Sequence, residues 1–368
     1  LQKQTNKILD LGTKGSGKTP FSRAGDGKLT LKGAYREILA TEALDAFGVP
    51  TSHTFSVIET FESLYRNDEP SPARSAILFR LLHSHIRIGT FQRLLFLNKK
   101  SDIEKLLRHV VKYYYEDINS QANIEDLIIL FLREFSDRVA DMVSSWMVVG
   151  FVHGVMNTDN FNITGETFDF GPWRFLEKWD LNFVAAYFDR NGRYSFGKQP
   201  EASFWSLCRL ADCFIPFIQK KKIEEVLIEF YDKFETHLSR RLVWRLGLKN
   251  DKRDKEFLFS KLFYKIQCKN KFLLNKLYFD LYSGVINTNK NDYKNDKDCE
   301  QLIEYLKEFS SRHKDNLIGE KILEFKDLSF DINNVERIWK FIETDDDWSK
   351  FNQLIKKTRN FKKLLFSN

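Results

Sequence analysis

The chain has 368 residues, 42% of them hydrophobic, and a formal net charge of +7. That length predicts two domains, or one large one with an extension, and enough apolar residues for a packed core. The basic residues are spread along the chain with no stripe of interleaved aromatics, which argues against nucleic acid. The longest apolar run, residues 142–156, is broken by Ser144, Ser145, Gly150 and His153 and is too short and polar for a membrane span.

The opening residues, LQKQTNK, have no signal-peptide pattern and no initiator Met, so a fragment or a processed chain is expected. Residues 12–19, GTKGSGKT, match the phosphate-loop pattern G-x-x-x-x-G-K-[ST] at every position. A true phosphate loop needs a helix to start at once, with its N-terminus facing the anion. Pro20 is compatible with that, but Gly25, Asp26 and Gly27 form a turn signal shortly after it. Three readings stay open at this point: a P-loop, a Gly-rich connection between strands, and a nucleotide site of another geometry.

Residues 31–47 read as a helix, with Leu31, Tyr35, Ile38, Leu39, Ala43, Ala46 and Phe47 near one face, Gly48 at its C-cap and Pro50 beyond. HTFSVIE (53–59) and SAILFRLL (75–82) read as strands. From about Ile103 the pattern is helical, most clearly over 124–154. FNIT and TFDFG read as short strands, and a loop rich in Asp, Gly and Arg runs to Pro200. Beyond Phe204 nearly everything reads as helix. The clearest stripe is Ile223, Val226, Leu227, Phe230, Tyr231 and Phe234. Residues 287–300 are polar and rich in Asn, Lys and Asp, as in a linker. The four cysteines (Cys208, Cys213, Cys268 and Cys299) form no C-x-x-C pair and have no His at zinc spacing. Free thiols in a reducing compartment are expected, such as a bacterial cytoplasm or, as the alternative, a mitochondrial matrix.

The overall order is a small mixed α/β part followed by a larger, mostly helical part, and a nucleotide site is expected in the cleft between two such parts. His153 to Asn160 has the offset of a kinase catalytic loop, H-x-D-x-x-x-x-N, and Asp169-Phe170-Gly171 follows as D-F-G. An Asn amide oxygen and an Asp carboxylate can hold Mg²⁺ against nucleotide phosphates. The kinase base position is Val155, which cannot accept a proton, while Asp159 stands beside Asn160. Lys14 lies in a strand-like context and Glu37 lies mid-helix beside the apolar stripe. There an unpaired buried carboxylate would cost about 2–7 kcal/mol, so a lysine partner is expected. Arg80 and Arg87 flank LLHSHI and could clamp a polyphosphate. His83 and His85 lack a third ligand and read as structural.

The segments KGSGKTPFSRAGDGK, YREILATEA, GVPT, RLLHSHIRIGTF, VGFVHGVMNTDNFNI, FDFGPW and GRYSFGKQP, running in order from Lys14 to about Pro200, resemble the selenoprotein O (SelO-like) family. The resemblance implies an α+β, protein-kinase-like bilobal fold. It places a small N-lobe at 1–100, a helical C-lobe carrying the metal and catalytic loop at 101–286, the linker at 287–300 and a helical C-terminal extension at 301–368. It implies a pseudokinase that binds ATP flipped relative to kinases and transfers AMP to Ser, Thr or Tyr hydroxyls of protein substrates. Lys14 would hold phosphate and pair with Glu37; Asp26 and Gly27 would contact ATP; Arg80 and Arg87 would grip the phosphates. Asn160 and Asp169 would bind Mg²⁺, with Mn²⁺ as the alternative, Asp169 also facing the nucleotide, and Asp159 would be the proton acceptor. Lys18, which completes the P-loop pattern, falls where the family fixes no residue.

There are departures from the family. Its Gly-rich nucleotide loop lies upstream of the lysine strand, so the N-lobe here is expected to be partial and to lack it; Gln92 stands where Glu is frequent, and the chain ends FKKLLFSN without the redox Cys or selenocysteine of some members. A nucleotide-binding pseudokinase of weak or no activity, serving as an interaction module, and a phosphotransferase are the rival readings.

Overall fold

The computed structural model describes residues 8–20, 22, 25–67, 69–249, 253–270, 273–284, 296–313 and 316–367. The chain begins with β1 (Asp10–Lys14) and β2 (Leu29–Thr30), then α1 (Leu31–Ala46), β3 (His53–Leu64) and β4 (Ala73–Leu82). β4 is the centre of an antiparallel sheet. β1 pairs with it from Asp10↔Leu82 to Lys14↔Leu78, β2 continues along the same side at Leu29↔Ala76, and β3 takes the other side. Residues 15–28 are therefore an excursion between two strand segments, tied by a Ser16–Lys28 bridge and a Gly17 N–H to Gly27 carbonyl bond of 3.1 Å.

That excursion settles the P-loop match. No helix starts behind Thr19 in the described part of the loop; the next helix is α1, capped by Thr30, whose side chain accepts from the Gly33 N–H. GTKGSGKT thus spans a strand end and a Gly-rich turn, and Lys14 closes β1. Gly27 needs to be glycine twice over. Its φ is +69°, and a Cβ there would stand 2.2 Å from the Gly17 carbonyl oxygen.

α1 follows the predicted stripe, burying Leu31, Tyr35, Leu39, Ala43 and Ala46, and Gly48 (φ +75°) ends it. Next come α2 (Ile88–Phe96), α3 (Lys100–Tyr114) and the long α4 (Ile124–Val149), capped by Asn123 and ended by Gly150 in the left-handed region. α2 is a nine-residue helix that the sequence pattern did not disclose; its first turn holds Gly89 and Thr90, weak helix formers.

FNIT and TFDFG do not form strands. Their backbone groups pair singly with loops: Ile163 N–H to the Ile86 carbonyl, Thr167 N–H to the Pro50 carbonyl. Asp169, at φ +62°, also turns the chain out of an extended path. The pairing nearby is β5 (Phe151–Val152) with β6 (Arg174–Phe175).

The rest is helical: α5 (Gln199–Asp212), α6 (Lys220–Leu227), α7 (Phe230–Arg245), α8 (Arg253–Asn270), α9 (Leu274–Asp280), α10 (Lys297–Leu306), α11 (Asn316–Leu323), α12 (Ile332–Asp345) and α13 (Ser349–Leu365). The stripe over 223–234 is split between α6 and α7, which leaves Ile228 at the break exposed while Phe230 is fully buried. Of the expected linker, residues 287–295 lie outside the described residues; Asp296 caps α10, so 297–300 are helical.

One apolar core joins α1, α4, α12 and α13. The last two helices close directly on α1: Tyr35 donates to the Val335 carbonyl (2.8 Å), Lys32 meets Glu336 (2.7 Å) and Lys362 meets Asp45 (2.6 Å). A second core lies under α7 to α10. No described helix is long and apolar enough to cross a membrane. All four cysteines are free.

Candidate active site

Lys14 at the end of β1, Glu37 on α1, Arg80 on β4, Arg87 before α2 and Asp169 in the D-F-G turn meet in one cluster. Lys14 Nζ lies 2.6 Å from Glu37 Oε2 and 2.9 Å from Asp169 Oδ1. Arg80 Nη1 lies 3.4 Å from Glu37 Oε1 and 3.3 Å from Asp169 Oδ1, and Arg87 Nη1 lies 3.2 Å from Asp169 Oδ2. Three cations therefore face two carboxylates. Both guanidinium groups also stand over the Phe168 ring, at 5.3 and 4.9 Å from its centroid, a contact the sequence reading missed.

Burial alone would push the Asp169 carboxyl up, but Lys14, Arg80 and Arg87 outweigh it and hold Asp169 far below the usual carboxylate range. Burial pulls Lys14 down, and the charges of Glu37 and Asp169 more than offset this, leaving its pKa raised. Both groups are charged at neutral pH. Glu37 is almost completely buried, so its charge depends on these partners.

The catalytic-loop segment is held from several sides. Asn157 accepts from the Asp159 N–H and starts the 3₁₀ turn Thr158–Asn160. Arg87 donates to the Asp159 carbonyl (2.9 Å), and Thr158 donates its hydroxyl to Gln92 Oε1. Asn160 donates through Nδ2 to the Val155 carbonyl (2.8 Å), which fixes the orientation of its amide. The His153 ring, held neutral by burial, bonds the Phe168 carbonyl, and Gln199 accepts from the His153 N–H. A Cβ on Gly89 would stand 2.0 Å from Asp159 Oδ1, so the first turn of α2 is shaped around that carboxylate.

Asp26 and Gly27 are not in contact with this cluster. Asp26 sits at the rim of the Gly-rich loop, bonded to Arg66 (2.9 Å) and to the Lys28 N–H. Those bonds hold its carboxyl below the usual value. His83 pairs with Glu166 (2.8 Å), and the His85 backbone N–H donates to Asp10. A cavity of about 480 Å³ beside His83, Tyr114 and Glu166 contains none of the cluster residues.

Among the described residues no three His, Cys, Asp or Glu side chains form a metal-binding group. Asn160 and Asp169 carry hard oxygens of the kind Mg²⁺ takes, a cation that needs one or two protein ligands and completes its shell with phosphate and water; in this structure both Asp169 oxygens are engaged by Lys14, Arg80 and Arg87.

The sequence model of the protein adenylyltransferase SelO family matches residues 1–359. The chain belongs to the SelO family. Relatives named protein nucleotidyltransferase YdiU include that of Synechocystis, 38% identical over 96% of this chain and 78% of its own. Others are those of Trichodesmium erythraeum, 46% identical over 66% of this chain, and Clostridium beijerinckii, 36% identical over 75%. The chain spans 52% and 57% of the length of these last two.

Proposed function

We propose that the chain is a protein adenylyltransferase that moves AMP from ATP to Ser, Thr or Tyr hydroxyls of proteins. The observation that carries this is the convergence of Lys14, Arg80 and Arg87 on Asp169, with Asp159 next to Asn160 and valine at the kinase base position. The sheet with α1 and the helical remainder are then the two lobes of a protein-kinase-like fold, with the cluster in the cleft.

Lys14, Arg80 and Arg87 grip the ATP phosphates with charge-assisted bonds, and Glu37 keeps Lys14 extended toward them. Asp26 and Gly27 line the nucleotide from the Gly-rich loop. Asn160 and Asp169 would hold Mg²⁺, or Mn²⁺ as the alternative, which would neutralise phosphate charge. The acceptor oxygen forms a bond to the α-phosphorus, the bond to the β-phosphate oxygen breaks, and pyrophosphate leaves with the electron pair. Asp159 takes the hydroxyl proton. Fixed cations aimed at developing charge supply most of the acceleration in such transfers. The free cysteines and the bacterial relatives support a bacterial cytoplasm as the compartment.

The test is pyrophosphate release coupled to acceptor modification. The wild type is expected to release one pyrophosphate per AMP adduct found by intact mass, and Asp159→Asn to do neither while still binding ATP. Phosphate adducts without pyrophosphate would make the protein a phosphotransferase.

A further inference from the structure

Resting on the transfer reading above, we propose that Glu336 of α12 is a positioning residue for the Lys14–Glu37–Asp169 cluster, acting through Arg36. Transfer needs Glu37, which holds Lys14, and Asp169 in place at the same moment. These two carboxylates come from separate elements, α1 and the D-F-G turn. Arg36, next to Glu37 in sequence, ties one backbone to the other. Its Nη2 donates to the Trp173 carbonyl (3.0 Å), and its guanidinium lies over the Trp173 ring, 4.8 Å from the centroid. Trp173 is almost completely buried and follows Asp169 in the run DFGPW.

That bridge carries an electrostatic cost. Arg174 donates to the same Trp173 carbonyl (2.9 Å), so two guanidinium groups meet at one oxygen. Burial, and then the Arg174 charge, pull the Arg36 pKa down to about 10, and Glu336 opposes this. Burial lowers Arg174 as well, and Glu336 again opposes it. Glu336 sets Oε1 3.9 Å from Arg36 Nη1 and Oε2 2.7 Å from Lys32 Nζ, one turn earlier on α1. Without that carboxylate the like charges at the Trp173 carbonyl lose the counter-ion they share. Arg174 keeps a second bond, to the Pro172 carbonyl (2.9 Å), so the Arg36 bridge is the contact that gives way.

The backbone under Glu336 is fixed by contacts that its own side chain does not make. The Tyr35 hydroxyl, from the residue before Arg36, donates to the Val335 carbonyl, from the residue before Glu336 (2.8 Å). The Tyr35 ring packs against Trp339 (5.3 Å) and against Phe351 of α13 (5.6 Å). Asp331 caps α12 by accepting from the Asn333 and Asn334 N–H groups. Neutralising Glu336 therefore leaves α12 docked on α1. The Glu336 side chain is 43% exposed, and ion pairs that open contribute little to stability. A purely structural Glu336 would be nearly silent, whereas a positioning Glu336 is read at the nucleotide site.

The experiment titrates a fluorescent ATP analogue with Mg²⁺ into the full chain and follows thermal melting of the same proteins. Glu336→Gln is expected to bind the analogue about tenfold more weakly than the wild type. Its melting temperature is expected to stay within about 3 °C of the wild type. Glu336→Asp, which keeps the charge, is expected to recover most of the affinity, and Lys32→Gln to match the wild type. Adding Glu336→Gln to Arg36→Gln is expected to cost no further affinity, because both changes remove one bridge. Wild-type affinity in Glu336→Gln, a loss that tracks the melting temperature, no recovery in Glu336→Asp, an equal loss in Lys32→Gln, or additive losses at 36 and 336 overturns the proposal. AMP transfer is measured in the same proteins: a wild type that binds the analogue but transfers no AMP would sink the transfer reading and leave the Glu336 contrast standing.

Discussion

Lys14 Nζ and Glu37 Oε2, 23 residues apart in sequence, lie 2.6 Å from each other, and the carboxylate is 1% exposed. The pair joins the end of β1 to the middle of α1. Removing Lys14 leaves Glu37 with the longer Arg80 contact alone, at 3.4 Å. Lys14→Ala is therefore expected to abolish transfer and to lower stability by about 1–2 kcal/mol in chemical denaturation, less than the cost of a fully unpaired buried charge. Lys18 is exposed on the Gly-rich loop, and Lys18→Ala is expected to change neither. Loss of activity in Lys18→Ala with Lys14→Ala intact would restore the P-loop.

Gly89 and Asp159 give a sharper test of the proton acceptor. A methyl group at 89 collides with Asp159 Oδ1, the far end of a side chain that can swing away, so the fold tolerates it. Gly89→Ala is expected to keep its melting temperature near that of the wild type while kcat falls by about 10²-fold, the usual result of an ångström-scale misplacement. Equal kcat in the two proteins would remove Asp159 from the reaction.

Much of this site was legible because its residues are spaced by chemistry: His153, Asn160 and Asp169 by a loop pattern, Glu37 by its place beside an apolar stripe. α1 was legible from periodicity and from Gly48. What stayed hidden depends on distant contacts. Phe168 under the two arginines, Gln92 beneath Thr158 and Gly89 against Asp159 are local residues whose meaning comes from what the fold sets opposite them. FNIT and TFDFG have strand composition, yet each meets only a loop edge and forms a single bridge. The split at Ile228 interrupts a stripe that periodicity alone carries straight on.

His237 on α7 predicts a pH dependence of stability. It bonds Asp137 (3.1 Å) and lies 3.3 Å from Asp141, both on α4, with Arg241 of its own helix on the same Asp141. Burial lowers its pKa, but the two carboxylates outweigh this and raise it to about 9. The unfolded value is near 6.5, so the contribution is complete below about pH 6.5 and lost as pH rises through about 9. Its size is on the order of 2–3 kcal/mol. Wild-type and His237→Gln urea midpoints are expected to differ most at pH 6 and to converge near pH 10. A difference constant with pH would exclude a charged His237.

The central claim is which phosphorus moves. ATP labelled on the α-phosphate, and separately on the γ-phosphate, is incubated with the protein, Mg²⁺ or Mn²⁺ and a protein acceptor, with Asp169→Ala in parallel. The account predicts α-label bound to protein, no γ-label, and neither in the variant. Bound γ-label without α-label, or α-label that survives Asp169→Ala, would contradict it.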